Sequence, residues 1–365
     1  MVRPSLPGSF AFHDPTSVMR SKPPADLGRR RRVVVTGGAG FVGSHLCEEL
    51  LRRGDDVLVI DDLSTGRREN LAALAGCGLR LTIASVADPA VAARACAEAD
   101  FVFHLAGVVG VRRLADEPLA VMQSNLVSTQ AMLAAAAAAQ VPILITSSSE
   151  VYGDGPVPFR EHDPVRAGAP EGHRGGYACA KAMGEFLALG HAAASGLPVV
   201  VARLFNTVGP RQSGDHGMVL PRFVQQALRD EPLTVYGDGG QTRCFAHVGD
   251  VVRALADLAR TEAAFGHVVN VGSDRETTVL ALAELVRERA GSRSPIRFVP
   301  YGDVFPPGFG DPARRVPSLE RLRSLIGFAP ATPLPQIVDE LLASWRREGA
   351  GPRPHPAGTS SHSFA

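Results

Sequence analysis

Three observations predict an α/β fold. In this fold a Rossmann-type doubly wound parallel sheet carries a smaller C-terminal α/β lobe. Short apolar segments alternate with longer segments of helical periodicity through residues 33–204, as in parallel sheets whose two faces are covered by helices. A glycine-rich turn joins the first apolar segment to the first helical one. After residue 206 the alternation stops, which indicates a lobe of different construction.

The first predicted strand is the uninterrupted Val-Val-Val-Thr run at residues 33–36, and a helix with leucines at helical spacing follows over 44–53. Strands without polar alternation are typical of sheets that are buried on both faces. The series of strands continues at residues 57–60, 79–84, 101–105, 143–147 and 199–204. Beyond it the sequence predicts a helix over 220–229, a strand over 233–236, and a strand and a helix within 268–289.

The composition excludes several classes of protein. The chain has 38 basic and 37 acidic side chains, so no overall field attracts nucleic acid or an anionic membrane. The longest apolar run, around residues 131–139, is too short to span a bilayer, and no secretory signal precedes it. The five cysteines form no CxxC pair and no Cys/His cluster. We therefore expect a cytoplasmic protein with no bound metal.

Two terminal segments lack apolar periodicity. Residues 1–31 are rich in Pro, Ser and Arg, and residues 349–365 are rich in Pro, Gly, Ser and His. Such segments cannot bury enough apolar surface to offset the entropy of ordering. We expect a disordered leader and a disordered tail.

The glycine-rich segment at residues 36–43 lies between the first predicted strand and the first predicted helix. Glycine permits a tight turn and lets the backbone approach a pyrophosphate, whose charge the helix N-terminus attracts. Asp61 ends the second strand, where a carboxylate accepts ribose hydroxyls and repels the 2′-phosphate of NADP. The pattern therefore predicts a site for NAD. Its predicted contacts are Gly37, Gly40, Phe41, Val42, Gly43 and Asp61.

Tyr177 and Lys181 are four residues apart and lie on one face of a predicted helix. A tyrosine phenol, with an ordinary pKa of about 10, needs a neighbouring cation to act as a base near neutral pH, and Lys181 provides one. Ser148, in the loop after the fifth strand, can bind the same substrate oxygen. The constellation predicts that Tyr177 removes a hydroxyl proton while NAD oxidises the carbon.

Together these motifs resemble the extended short-chain dehydrogenase/reductase family, and within it the nucleotide-sugar epimerases, dehydratases and decarboxylases. The similarity extends from about Arg32 to Trp345. It rests on residues 36–43, 148–153, 177–181, 203–211 and 233–250.

The resemblance implies an NAD-binding Rossmann domain over residues 32–203, to which part of 234–270 returns, and a nucleotide-sugar lobe over 204–348. It also implies a homodimer formed through a helix pair, and a UDP-linked substrate. To the cofactor contacts it adds Leu105, Ala106, Tyr177 and Lys181. The substrate contacts that it implies are Arg112, Ser149, Asn206, Leu220, Tyr236, Gln241, Arg243 and Arg315.

The residue before Val151-Tyr152-Gly153 narrows the reaction, because every member of this group begins by oxidising the sugar at C4. Glu150 is similar to the acid of decarboxylases and 4,6-dehydratases, whereas 4-epimerases usually lack one. Dehydratases usually have Asp where this chain has Ser149. The motifs are therefore most similar to UDP-glucuronate decarboxylases, which make UDP-xylose or its 4-keto precursor. Glu150 becomes the fourth predicted catalytic residue.

Three alternatives stay open: a 4-epimerase of a UDP-sugar or UDP-uronate, a 4,6- or 5,6-dehydratase, and a non-catalytic NAD-binding protein. The intact Ser148, Tyr177 and Lys181 argue against the last.

The chain departs from the family pattern at three positions, of which Ser85 weakens a cofactor contact and the other two blur the subfamily. Gly107 replaces a common Ala. Ser85 stands where many relatives have an adenine-contacting Asp, and Ser318 stands where an Asp is frequent.

Overall fold

A parallel sheet lies at the centre of the computed structural model, which describes residues 29–110, 114, 116–168, 173–214, 217–304, 312–347 and 349. In chain order the strands are β1 Arg32–Thr36, β2 Asp56–Asp61, β3 Leu79–Ile83, β4 Phe101–His104, β5 Ile143–Ser148, β6 Val199–Leu204, β7 Thr207–Val208, β8 Leu233–Tyr236, β9 Thr242–Cys244, β10 Ala246–His247, β11 His267–Val271, β12 Glu276–Thr278 and β13 Ile296–Val299. Seven of them form this sheet in the order β3-β2-β1-β4-β5-β6-β11, and every neighbouring pair is parallel. The order grows outward from β1 in both directions, which confirms the predicted fold class.

Helices cover both faces of the sheet. In chain order they are α1 Phe41–Arg52, α2 Pro89–Ala97, α3 Pro118–Ala139, α4 His173–Ser195, α5 Val219–Leu228, α6 Val248–Leu258, α7 Val279–Ala290, α8 Glu320–Ile326 and α9 Leu334–Arg347. Helices α1 and α6 pack on the face that carries Val35 and Phe103, whereas α2, α3 and α4 pack on the face of Val34 and Val102. Successive strand residues point to opposite faces of the sheet, and helices bury both faces. The strands therefore have to be apolar without interruption.

A separate core lies in the C-terminal lobe. There α5, α7 and α9 pack around Phe223, Leu282 and Trp345, which are fully buried. Strands β8 and β13 pair in parallel beside them. The helix predicted over 220–229 and the strand predicted over 233–236 correspond to α5 and β8. Strand β11 belongs to the large sheet and α6 packs on it, although both lie in sequence between β8 and α9. The chain therefore crosses between the two parts more than once.

Arginines of the N-terminal segment are the first residues that the structure describes. Arg29 pairs with Asp100 at 2.7 Å, and the Arg31 guanidinium lies 4.6 Å from the centroid of the Phe101 ring. The rest of the predicted leader, and the predicted tail apart from Gly349, lie outside the described residues. In the described part of the chain, no helix is both long and apolar enough to cross a bilayer.

A buried ion pair joins helix α4 to the sheet. Arg203 on β6 donates to both carboxylate oxygens of Glu185 on α4, at 2.9 and 2.6 Å, and Ser147 Oγ on β5 donates to the same carboxylate at 2.5 Å. Both charged residues are at most 4% exposed. Removing two charges from water is costly, and only close geometry with further hydrogen bonds offsets that cost. Three elements are therefore held in one relative position.

We predict that Glu185→Ala lowers the free energy of unfolding by about 3–5 kcal/mol, because it leaves the Arg203 cation buried without its carboxylate. Urea unfolding followed by circular dichroism measures the change. Arg314→Ala is the matched control, since Arg314 forms an exposed pair with Glu276 and exposed pairs contribute little. A Glu185→Ala protein that unfolds at the wild-type urea concentration would contradict the prediction.

Candidate active site

A cavity of about 1320 Å³ opens at the carboxyl ends of the sheet strands, between the sheet and the C-terminal lobe. Residues that end or directly follow β1, β2, β4 and β5 line one side, and residues of α5, β8 and β9 line the other. Doubly wound folds bind ligands at this end of the sheet. Because single-ligand pockets hold about 300–1,000 Å³, the cavity has room for two ligands side by side.

All but one of the predicted site residues line this cavity. From the predicted cofactor contacts these are Gly37, Gly40, Phe41, Val42, Gly43, Asp61, Leu105, Ala106, Tyr177 and Lys181. From the predicted catalytic and substrate contacts they are Ser148, Ser149, Glu150, Asn206, Leu220, Tyr236, Gln241, Arg243 and Arg315. The exception is Arg112, which lies outside the described residues.

The glycine turn forms a cradle at the start of α1. Gly37 has φ +70°, a conformation that glycine adopts without strain. A Cβ atom on Gly43 would lie 2.1 Å from the carbonyl oxygen of Gly37, so the turn can approach the helix this closely only with glycine there. Among the described residues no side chain caps this helix, and its first turn carries no acid. The uncapped helix N-terminus at the cavity wall fits the pyrophosphate of NAD.

Asp61 lies at the end of β2 and also holds the turn. Its Oδ2 accepts a hydrogen bond from Ala39 N at 2.9 Å, and its Oδ1 accepts one from Leu63 N at 2.8 Å. Burial raises the pKa of this carboxyl, and the two backbone hydrogen bonds oppose the rise. A carboxylate has about four acceptor positions. Asp61 can therefore accept ribose hydroxyls as well as these two amides.

Tyr177 is buried at the centre of the cavity wall. Burial raises the pKa of its phenol well above the ordinary value and nearby Glu150 adds to the rise, whereas a hydrogen bond with Ser148 and the Arg315 charge lower it. Lys181 Nζ donates to the carbonyl oxygen of Thr146 at 3.2 Å. Burial lowers the pKa of Lys181 to about 8, and Glu185 opposes that change. Lys181 thus stays mostly protonated at neutral pH, in surroundings that screen its charge weakly.

Glu150 and Arg315 form an ion pair beside this tyrosine. Arg315 NH1 donates to Glu150 Oε1 at 2.6 Å and to Ser149 Oγ at 3.4 Å. Arg315 is 4% exposed, and its Nε has no hydrogen-bond partner among the described residues. The pair brings a carboxylate and a guanidinium, distant in sequence, to the same wall as Ser148 and Tyr177.

Arg222 and Tyr301 are among the cavity residues that the sequence analysis did not name. The Arg222 guanidinium lies 3.9 Å from the centroid of the Tyr236 ring, and the Tyr301 ring packs edge-on against Tyr236 at 6.4 Å. Arg222 is part of an amphipathic helix, where an arginine is usually solvated, and Tyr301 follows a strand far along the chain. Neither position carries a local motif, so only the packing of the lobe reveals them.

Residues 33–272 match the NAD dependent epimerase/dehydratase family, and the chain belongs to that family. The predicted resemblance and the predicted NAD-dependent class of enzyme are therefore confirmed. Among curated relatives, the UDP-N-acetyl-α-D-glucosaminuronate decarboxylase of Bacillus cytotoxicus is 37% identical over 87% of this chain and 98% of its own. UDP-glucuronic acid decarboxylase 1 of Arabidopsis thaliana is 37% identical over 88% of this chain and 72% of its own.

Solved structures of other proteins have the same fold as this chain. An epimerase from Methanothermobacter thermautotrophicus superposes with a TM-score of 0.80 at 28% identity, over 87% of this chain and 93% of the other. The UDP-glucuronic acid 4-epimerase of Bacillus cereus, solved with UDP-glucuronic acid and NAD, superposes with a TM-score of 0.78 at 26% identity. That alignment covers 87% of this chain and 99% of the other.

We predict that Asp61→Ala weakens NAD binding by about tenfold or more and narrows the preference for NAD over NADP, because an acceptor and a repulsive charge are both lost. Titration with each cofactor measures both effects. Asp62→Ala is the control, since the neighbouring Asp62 side chain is exposed and bonds only to Ser64 N among the contacts described. Unchanged affinity of the Asp61→Ala protein for both cofactors would refute the ribose contact.

Proposed function

We propose that this chain decarboxylates a UDP-linked uronate through a 4-keto intermediate, with UDP-glucuronate as the first candidate substrate and UDP-xylose or a UDP-4-keto-pentose as product. The observation that carries the proposal is the Glu150–Arg315 ion pair, 2.6 Å long, at the wall that also holds Tyr177 and Ser148. Simple C4 epimerisation needs a base and an oxidant but no acid-guanidinium pair. A reaction at the neighbouring C5 can use both the carboxylate and the guanidinium of this pair.

The oxidation at C4 is assigned to Tyr177, Ser148 and Lys181. Bound NAD supplies a reversible two-electron oxidant at this end of the sheet. Tyr177 accepts the proton of the C4 hydroxyl, and Ser148 hydrogen-bonds the same oxygen and keeps it within reach. Because burial raises the pKa of Tyr177, the tyrosinate needs positive charge nearby, which the protonated Lys181 contributes in surroundings of low dielectric constant.

The second step follows from the chemistry of the 4-keto sugar. A ketone at C4 is β to the C6 carboxylate, so the C5–C6 bond breaks, carbon dioxide leaves, and the electron pair passes into an enolate that spans C5 and C4. Arg315 stabilises the negative charge that develops. Glu150, held by Arg315, orders the water that returns a proton to C5. The sugar loses one carbon, and C4 remains a ketone unless the hydride is returned to it.

The C-terminal lobe provides the contacts for the nucleotide. Tyr236 offers an aromatic face for a base, and Gln241 Nε2 donates to the Tyr236 carbonyl at 2.9 Å and so holds this strand end in place. Arg243 offers a cation for the diphosphate. Asn206 donates to the Cys244 carbonyl at 3.2 Å and joins the two edges of the cavity. We assign UDP as the carrier because the named relatives act on UDP-linked uronates.

A second candidate substrate is UDP-N-acetylglucosaminuronate. The relative from Bacillus cytotoxicus is named for that substrate and aligns over 98% of its length. The two uronates differ at C2, away from the atoms that react, so the assigned steps are the same for both. Incubating the purified enzyme with each UDP-uronate and measuring the product masses by mass spectrometry shows which substrate is decarboxylated.

We also propose a homodimer, formed through α3 and α4. These helices pack together on one face of the sheet and expose Leu119, Val127, Met183 and Phe186, each between 46% and 64% accessible. Large apolar side chains grouped on neighbouring helices are typical of a self-complementary interface. A cytoplasmic location stays a prediction from the sequence.

We predict that Tyr177→Phe abolishes turnover, by a factor of about a thousand or more, while nucleotide-sugar affinity stays nearly unchanged, since only the ionisable oxygen is lost. Steady-state kinetics and titration with UDP-glucuronate provide the two measurements. Turnover within about tenfold of wild type would rule out Tyr177 as the base.

We predict that Glu150→Gln still oxidises C4 but forms little pentose product, because the oxidation uses other groups whereas the return of a proton to C5 uses Glu150. With UDP-glucuronate, the absorbance of reduced nicotinamide should rise slowly while pentose product stays low. Asp154→Asn is the control, since this carboxylate follows the same turn but its side chain is 90% exposed. A wild-type product of unchanged mass, together with a fully active Glu150→Gln protein, would favour the 4-epimerase instead.

A further inference from the structure

Asn270 is a fully buried polar residue on β11 that does not line the cavity, yet all its side-chain polar atoms are bonded. Its Oδ1 accepts a hydrogen bond from Tyr152 Oη at 2.7 Å. Its Nδ2 donates to the carbonyl oxygens of Phe159, at 3.0 Å, and Ser318, at 3.3 Å. Its backbone N–H donates to Glu161 Oε1 at 3.0 Å. A fully satisfied buried network fixes one arrangement of the segments that it joins.

The segments joined by Asn270 are those that carry the Glu150–Arg315 pair. Tyr152 ends the short 3₁₀ turn Ser149–Tyr152, which contains Glu150. Ser318 follows Arg315 by three positions, in a stretch that bonds to Phe159: Phe159 N donates to Val316 O at 2.8 Å and Ser318 N donates to Phe159 O at 2.7 Å. One side chain therefore bonds to a residue two positions after Glu150 and to a residue three positions after Arg315.

Aromatic stacking reinforces the same connection. The rings of Tyr152 and Phe159 are parallel, with an interplanar angle of 4° and centroids 4.6 Å apart, and both residues are 1% exposed. The Arg203 guanidinium lies 4.6 Å from the Tyr152 centroid. The turn that carries Glu150 is thus packed against Phe159, and Phe159 against the stretch after Arg315. We call Tyr152, Phe159, Asn270 and Ser318 the Asn270 clamp.

We propose that Asn270 is a positioning residue for the Glu150–Arg315 pair, and that through the clamp it serves the loss of carbon dioxide at C5 and not the oxidation at C4. This inference rests on the proposed decarboxylase function. The groups assigned to oxidation have supports outside the clamp. Lys181 bonds to Thr146 O, and α4 is fixed by the Glu185–Arg203 pair. Ser148 is held in β5 by pairing with β6, and its Oγ also accepts a hydrogen bond from Glu150 N at 3.2 Å. A displacement of about 1 Å at a reacting group can cost about a hundredfold in rate.

Two variants test the clamp from opposite sides. Tyr152→Phe keeps the ring contacts and removes the hydroxyl, which donates to Asn270 and also interacts with Arg203. Asn270→Asp keeps the acceptor for Tyr152 and replaces the donor to the two carbonyl oxygens by an oxygen that they repel. In single turnovers with the accepted UDP-uronate, both variants should oxidise C4 within about threefold of wild type and release carbon dioxide about tenfold more slowly or worse.

Asp250→Asn is the matched control, since Asp250 Oδ2 accepts hydrogen bonds from Ala331 N and from Thr332 N and Oγ1 outside the cavity. It should change both steps in the same proportion, as any general loss of stability would. Hydrogen exchange at the Ser318 amide provides a readout without substrate, and it should quicken in Tyr152→Phe while the amides of β1 stay protected.

Equal slowing of both steps in the clamp variants, or wild-type exchange at Ser318 in Tyr152→Phe, would overturn the inference while wild-type decarboxylation left the proposed function standing. A wild-type enzyme that releases no carbon dioxide from either UDP-uronate would instead refute the proposed function, and this inference with it.

Discussion

The Arg203–Glu185 ion pair is the contact on which the arrangement of the candidate active site depends. It connects β6 to α4, which carries Tyr177 and Lys181, and the Ser147 hydroxyl connects the same carboxylate to β5, which ends at Ser148. Charges buried this deeply tolerate little displacement, because the attraction has to offset the cost of lost hydration. The pair therefore fixes distances between groups that belong to different elements, and a layer of apolar side chains alone would fix them less strictly.

Much of the fold could be predicted from local signals in the sequence. Strands buried on both faces have to be uninterruptedly apolar, and the Gly37–Gly43 turn has to be glycine because a Cβ at Gly43 would strike the Gly37 carbonyl. The Tyr177 and Lys181 pair is likewise visible from helical spacing. The start of α1 at Phe41, before the predicted Ser44, was not visible, because the apolar periodicity of that helix becomes clear only at Leu46.

Features that depend on distant parts of the chain could not be derived from local patterns. Family resemblance placed Arg315 near the site, whereas only the fold shows that Arg315 pairs with Glu150 and contacts Ser149. Asn270 looks like an ordinary strand residue in the sequence, and its four partners lie far from it, three within residues 152–161 and one at Ser318. Arg222 resembles a solvated helix residue until the lobe packs it over Tyr236. Buried polar contacts of this kind leave no periodicity, since each involves one residue from each segment.

The position of β11 at the edge of the large sheet has a consequence for biosynthesis. While the chain emerges from the ribosome, β6 is complete well before residues 267–271, its outer neighbour, have been made. During that interval an apolar parallel strand presents unpaired amide and carbonyl groups, which is a template for association with other nascent chains. The sheet gains its last strand only after residues 267–271 have been made.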